Sequence, residues 1–157
     1  MFDETRPARR AIRLPIRPAR WWAVAGVAGL LLAGALASSA NLAVLTGLSV
    51  PTGPVRITTW LHFLGYATLG ALFCAALHAG AFARSLGASR TFLSAFAVVA
   101  GYGLAVELLH AVVPHRTFSL LDVAANVLGA FAGSALVWTV ASLLYLRART
   151  ARPVRPS

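Results

Sequence analysis

Residues 120–146 read LLDVAANVLGAFAGSALVWTVASLLYL, 27 positions in which Asp122 is the one charged side chain. A bilayer core roughly 30 Å thick is crossed by about 20 apolar residues in helical form. In lipid every backbone N–H and C=O must be paired internally, which leaves helices and closed barrels. The run lacks the alternation of a barrel strand, so it predicts a spanning helix. Three comparable runs lie upstream, Trp21 to Ser39, Thr58 to Ala83 and Thr91 to Val113. Together they predict an all-α polytopic membrane protein, a compact bundle of four transmembrane helices.

The composition agrees. Of 157 residues, 59 % are hydrophobic and 11 % charged, and the mean hydropathy is +0.76. A soluble domain is about half apolar and a quarter charged, so an ordinary cytosolic domain and a disordered chain are both excluded. The single cysteine, Cys74, excludes an intramolecular disulfide framework and a cysteine-cluster zinc site. All 14 basic residues are arginine, and the acids are Asp3, Glu4, Glu107 and Asp122, giving a net charge of +10. A nucleic-acid binder spreads its cations over a folded, water-facing surface. Here they sit in short flanks between apolar runs, so nucleic acid is not an expected partner.

Those flanks predict the orientation. Residues 1–20 form an arginine-rich flank, 21–146 the four-helix domain and 147–157 a basic tail. The N-terminal flank carries Arg6, Arg9, Arg10, Arg13, Arg17 and Arg20. Arg84 and Arg90 lie between the second and third runs, in a polar turn from Arg84 to Arg90. The tail carries Arg147, Arg149, Arg152 and Arg155. Four spans place these 12 arginines on one side, against Arg56 and Arg116 on the other. The positive-inside rule then puts both termini in the cytoplasm, in a multi-pass protein of the cytoplasmic membrane. An alternative stays open for the first run. An arginine-rich start, an apolar stretch and Ala35-Leu-Ala37 also fit a cleaved secretory signal, although about 19 residues is long for one.

The strongly polar groups cluster at one depth. His62 and Tyr66 are one turn apart near the start of the second run, and Glu107 and His110 near the end of the third. His115, Arg116 and Ser119 follow in a hairpin after Pro114, which is expected to stop the third helix. Asp122 and Asn126 begin the fourth, with Ser119 and Asp122 at capping-box spacing. All fall within roughly 12 Å of the outer membrane face, since a helix rises 1.5 Å per residue. An ionisable group inside a membrane costs roughly 3 kcal/mol, so these need partners. Arg116 can reach towards Glu107 or Asp122, which would make Glu107 half of a structural ion pair. Glu107 lies about two turns inside its expected helix, where capping does not account for it. His78, near the other end of the second run, reads as structural. Gly129 and Gly133 continue the stripe of Asp122 and Asn126 as a GxxxG spacing, and with Gly65, Gly70, Gly101 and Gly103 they predict close helix contact. They leave a homo-oligomer open.

One set of residues is familiar. His62-Phe-Leu-Gly-Tyr66-Ala-Thr-Leu-Gly70, Glu107-Leu-Leu-His110, and the run from Pro114 through Arg116, Ser119, Asp122 and Asn126 to Gly129 resemble the VanZ-like membrane protein family. The likeness covers the second to fourth runs and is most specific from Pro114 to Gly129. Two departures stand out. Thr58 and Thr59 replace an acidic–basic pair common in the family, and His110 replaces a glutamine. The resemblance implies a cell-envelope protein associated with low-level resistance to teicoplanin, a glycopeptide antibiotic acting on the outer face of the cell.

The main reading is therefore a non-enzymatic membrane protein. His62, Tyr66, Glu107, His110, Arg116, Ser119, Asp122 and Asn126 form its outer-leaflet recess, for a lipid or cell-wall-precursor headgroup. It needs no cofactor and no metal. An alternative is an intramembrane enzyme using Glu107, His110, His62 and Asp122, either around a divalent metal or as a metal-free acid–base pair. A further alternative is a structural or transport subunit. No serine or cysteine nucleophile is evident, since Cys74 sits in mid-span.

Overall fold

A computed structural model describes residues 19–36, 57–79, 87–114 and 116–150, and among these all regular structure is helical. The helices are α1 (Ala19–Leu36), α2 (Ile57–His78), α3 (Ala88–His110) and α4 (Leu120–Thr150). Three contain stretches long and apolar enough to cross a membrane: Thr58–His78, Ala88–His110 and Leu120–Ala148. The apolar part of α1, Arg20–Ala35, is shorter. The expected ends of the first run at Ser39 and of the second at Ala83, the polar turn as far as residue 86, residues 37–56, His115, and residues 1–18 and 151–157 of the two flanks lie outside the described residues.

Local chemistry sets the visible ends. Gly87 precedes α3 with φ at +79°, in the region that favours glycine. The helix thus starts three residues before Thr91, with Arg90 exposed in its first turn. Thr91 Oγ1 donates to the Gly87 carbonyl at 2.8 Å. At the other end α3 stops at His110 rather than Val113, because Pro114 disfavours helical geometry at the residue before it and turns fill 111–114. Glu107 is therefore in the last turn of α3, not two turns from its end. Ser119 caps α4 by accepting the Asp122 N–H at 3.3 Å. The reciprocal half of the expected capping box is absent, because the Asp122 carboxylate turns to α2 instead.

Residue numbers rise together across α2 and α4, from Thr59 against Asp122 to Gly70 against Ser134, so these helices run parallel. The same holds for α1 and α3, where Tyr102 pairs with Ala28 and His110 with Ala35. The seam between α2 and α4 is cut by glycine. A Cβ on Gly129 or Gly133 would collide with the Phe63 or Ala67 carbonyl, and one on Gly70 would lie 2.7 Å from the Ala130 carbonyl oxygen. The GxxxG stripe is thus used inside the bundle, with backbone against backbone. Gly101, by contrast, faces open space.

On α3 the buried positions are Thr91, Ala95, Val99, Gly103, Val106, Glu107 and His110, a stripe at helical spacing. Its lower part joins a core of Tyr66, Leu69, Ala76, Val99 and Ala130. Towards the α4 C-terminus, Phe92 and Phe96 pack against Phe131, with Trp138 on Phe92. Many leucines elsewhere on the helices are exposed, as a lipid-facing surface requires.

Candidate functional site

Four side chains couple the N-terminal ends of α2 and α4. Thr59 Oγ1 donates to Asp122 Oδ1 at 2.7 Å. One turn on, His62 Nδ1 meets Asn126 Oδ1 at 2.9 Å. Asn126 is fully buried, and its Nδ2 donates to the Gly103 carbonyl of α3 at 3.2 Å. That bond aims its amide oxygen at His62, so the histidine carries its proton on Nδ1 and keeps a lone pair on Nε2. Gly103 makes the arrangement possible. A Cβ there would lie 2.8 Å from Asn126 Cβ and 2.9 Å from the Tyr66 ring.

Glu107 comes in from α3 with a relative exposure of 0 %. His110 Nδ1 is 3.2 Å from its Oε2, and His62 Nδ1 is 3.7 Å from its Oε1. Neither contact has hydrogen-bond geometry, and both carboxylate oxygens are buried without a hydrogen-bond partner. The Tyr66 hydroxyl is likewise buried without one, beneath a ring stacked parallel to His62 with centroids 6.4 Å apart. One ligand-type atom each from His62, Glu107 and Asp122 lie within 4.8 Å of one another.

The expected pairing of Arg116 with Glu107 or Asp122 is not among the ion pairs of the described residues. Among the described residues, the groups at ion-pair distance from Glu107 are His62 and His110. Arg116 Nη2 instead donates to the Gly34 carbonyl at 2.9 Å, and His110 Nε2 bonds to the Ala35 carbonyl at 3.1 Å. Both go to the last turn of α1. Carbonyl oxygens in this stretch of α1 accept both donors. His78 acts at the end of α2 in a related way, with Nδ1 donating to the Cys74 carbonyl at 3.1 Å.

All eight expected site residues thus take part in contacts at this end of the bundle. Ser119 contributes as the α4 cap. Sequence reading noted Thr59 as a departure from the family pattern but not as a site residue, although its place three residues before His62 on the same helical face was a usable sign. It passed over the carbonyls of Gly34 and Ala35, which no side-chain pattern reveals.

Beside the polar cluster a cavity of about 150 Å³ lies between α1, α2 and α3. Leu31, Leu61 and Val106 form apolar wall, while His62, Tyr66 and Arg116 provide polar lining. A single water needs about 15 Å³ by such a measure, so the space exceeds a hydration site.

A family model described as VanZ/LLP1 matches residues 35–144, which run from the end of α1 through most of α4. No curated protein and no solved structure matches the chain.

Proposed function

The chain belongs to the VanZ/LLP1 family, and from that premise we propose that it binds the anionic headgroup of an envelope amphiphile in an outer recess of the cytoplasmic membrane. In this reading all four helices span and both termini are cytoplasmic. The observation that carries the proposal is the cavity, with apolar wall beside a histidine, a tyrosine and an arginine. Acyl chain follows Leu31, Leu61 and Val106, and the head meets Arg116, whose planar guanidinium suits phosphate and carboxylate oxygens. Weaker susceptibility to glycopeptides of the teicoplanin type follows if the bound species is a cell-wall precursor or the antibiotic itself.

The test uses the full chain in nanodiscs containing a mixture of phosphatidylglycerol and phosphatidylcholine. Lipid carried through delipidation is identified by mass spectrometry. Wild type should retain the anionic lipid, and Arg116→Gln or the cavity-filling Leu61→Trp should retain at least tenfold less. Equal retention by all three overturns the recess. In cells, the same variants should alter glycopeptide susceptibility at matched membrane levels. Reporter fusions after Arg90 and Ser157 should read cytoplasmic, and a tag at Gly53 should be reachable from outside.

A second reading makes the recess catalytic. It is favoured by Glu107, which lies beside two histidines with neither carboxylate oxygen hydrogen-bonded, so a substrate proton has an acceptor there. Chemical change in the retained lipid, lost in Glu107→Gln, would select it over simple binding.

A further inference from the structure

The headgroup reading leaves Glu107 unexplained. Three features penalise its negative charge. It is fully buried with neither oxygen hydrogen-bonded. It sits in the last turn of α3, at the negative end of that helix dipole. A ligand-type oxygen of a second carboxylate, Asp122, lies within 4.8 Å. A buried carboxylate in such surroundings calls for a positive charge against it.

The histidines alone supply it poorly. A carbonyl oxygen only accepts, so the bond from His110 Nε2 to Ala35 places a proton on Nε2. The Nδ1 of a neutral His110 then lies 3.2 Å from Glu107 Oε2 with no proton to offer it. That contact becomes attractive when a cation serves both atoms.

We propose that His62, Glu107 and Asp122 bind one divalent metal ion where α2, α3 and α4 meet, with His110 as a further nitrogen donor beside Glu107. Bonds of about 2.1 Å set neighbouring ligand atoms roughly 3.0–3.4 Å apart, so donors that lie within 4.8 Å of one another reach an ion by closing less than about 2 Å. Mixed imidazole and carboxylate ligands select Mn²⁺ or Zn²⁺ over the all-oxygen preferences of Mg²⁺ and Ca²⁺. Asn126 and Thr59 bond to His62 and Asp122 and steady both side chains. This site goes beyond the headgroup reading and does not rest on it.

The experiment uses the full chain in neutral-lipid nanodiscs, stripped with chelator and given Mn²⁺ or Zn²⁺ with no other ligand. Wild type should hold about one ion per chain after gel filtration and unfold at a higher temperature with metal than without, because the ion binds only the folded state. Glu107→Gln should bind at least tenfold more weakly and lose the metal-dependent shift. Its metal-free melting temperature should equal or exceed that of wild type, since the amide removes a buried charge. Asp122→Asn, which keeps an oxygen for Thr59, should also bind at least tenfold more weakly while remaining folded. The proposal is overturned if wild type retains no more metal than Glu107→Gln. It is equally overturned if metal-free Glu107→Gln melts well below wild type and metal shifts neither, for Glu107 is then the counter-ion of a protonated histidine.

Discussion

The seam between α2 and α4 and the seat of α1 are built on opposite principles. Along the first, glycines remove side chains until backbones touch, and Gly129 and Gly133 leave no room for even a methyl group. Against α1, the contact is made by side chains and by a few bonds to its carbonyls, from Tyr102, His110 and Arg116. Gly26, Gly29 and Gly34 of α1 have nothing near the place a Cβ would take. The tight seam fixes Thr59 to Asp122 and His62 to Asn126 in one register. The looser seat leaves the cavity. A recess that must admit a ligand is better bounded by an element held through a few bonds than by one in backbone contact, because only the former opens at modest cost.

Substitutions can break this contrast in order of size. Gly133→Val should be the most damaging, because its Cβ meets the Ala67 carbonyl and the helices must separate. Overpacking of this kind costs about 3 kcal/mol, so little folded protein should survive detergent extraction and thermal challenge. Asn126→Leu should cost about 2 kcal/mol by leaving His62 and the Gly103 carbonyl without their amide partner. Reduced thermal stability with intact helical circular dichroism would show it.

Milder changes probe α1. Tyr102→Phe removes one bond, to the Ala28 carbonyl at 2.7 Å, and should cost about 1 kcal/mol while raising hydrogen exchange in α1 more than in α4. Gly29→Ala should shift stability by less than about 0.5 kcal/mol, since the added methyl group meets nothing. If Gly29→Ala proved as damaging as Gly133→Val, the distinction between the two seams would fail.

The helical class and the approximate position of each helix were legible because lipid enforces apolar length and internal backbone pairing, and both leave marks in one dimension. The polar layer was legible for the same reason. Charges are costly in an apolar run, so Glu107 and Asp122 stand out without any structure. What misled was reach. Arg116 lies close to both acids along the chain, and proximity in sequence suggested an ion pair. The end of α1, more than 75 residues earlier, takes its donor instead. The last turn of α3 was also misplaced, because apolar residues 111–113 continue the hydropathy pattern while Pro114 already turns the backbone away.

Sequence by itself determined that the chain is helical, apolar in four stretches and polar at one end of the last three, since composition and 1.5 Å per residue suffice for that. Tertiary structure decided which groups meet. Only the parallel seating of α2 on α4 sets Thr59 on Asp122 and His62 on Asn126. Only the approach of α3 buries Glu107 between two histidines with no hydrogen bond to either. The reason is geometric. Spacing along a helix gives a residue's depth and face, but its partners depend on the rotation and closeness of neighbouring helices, which backbone contacts at Gly70, Gly129 and Gly133 fix in three dimensions.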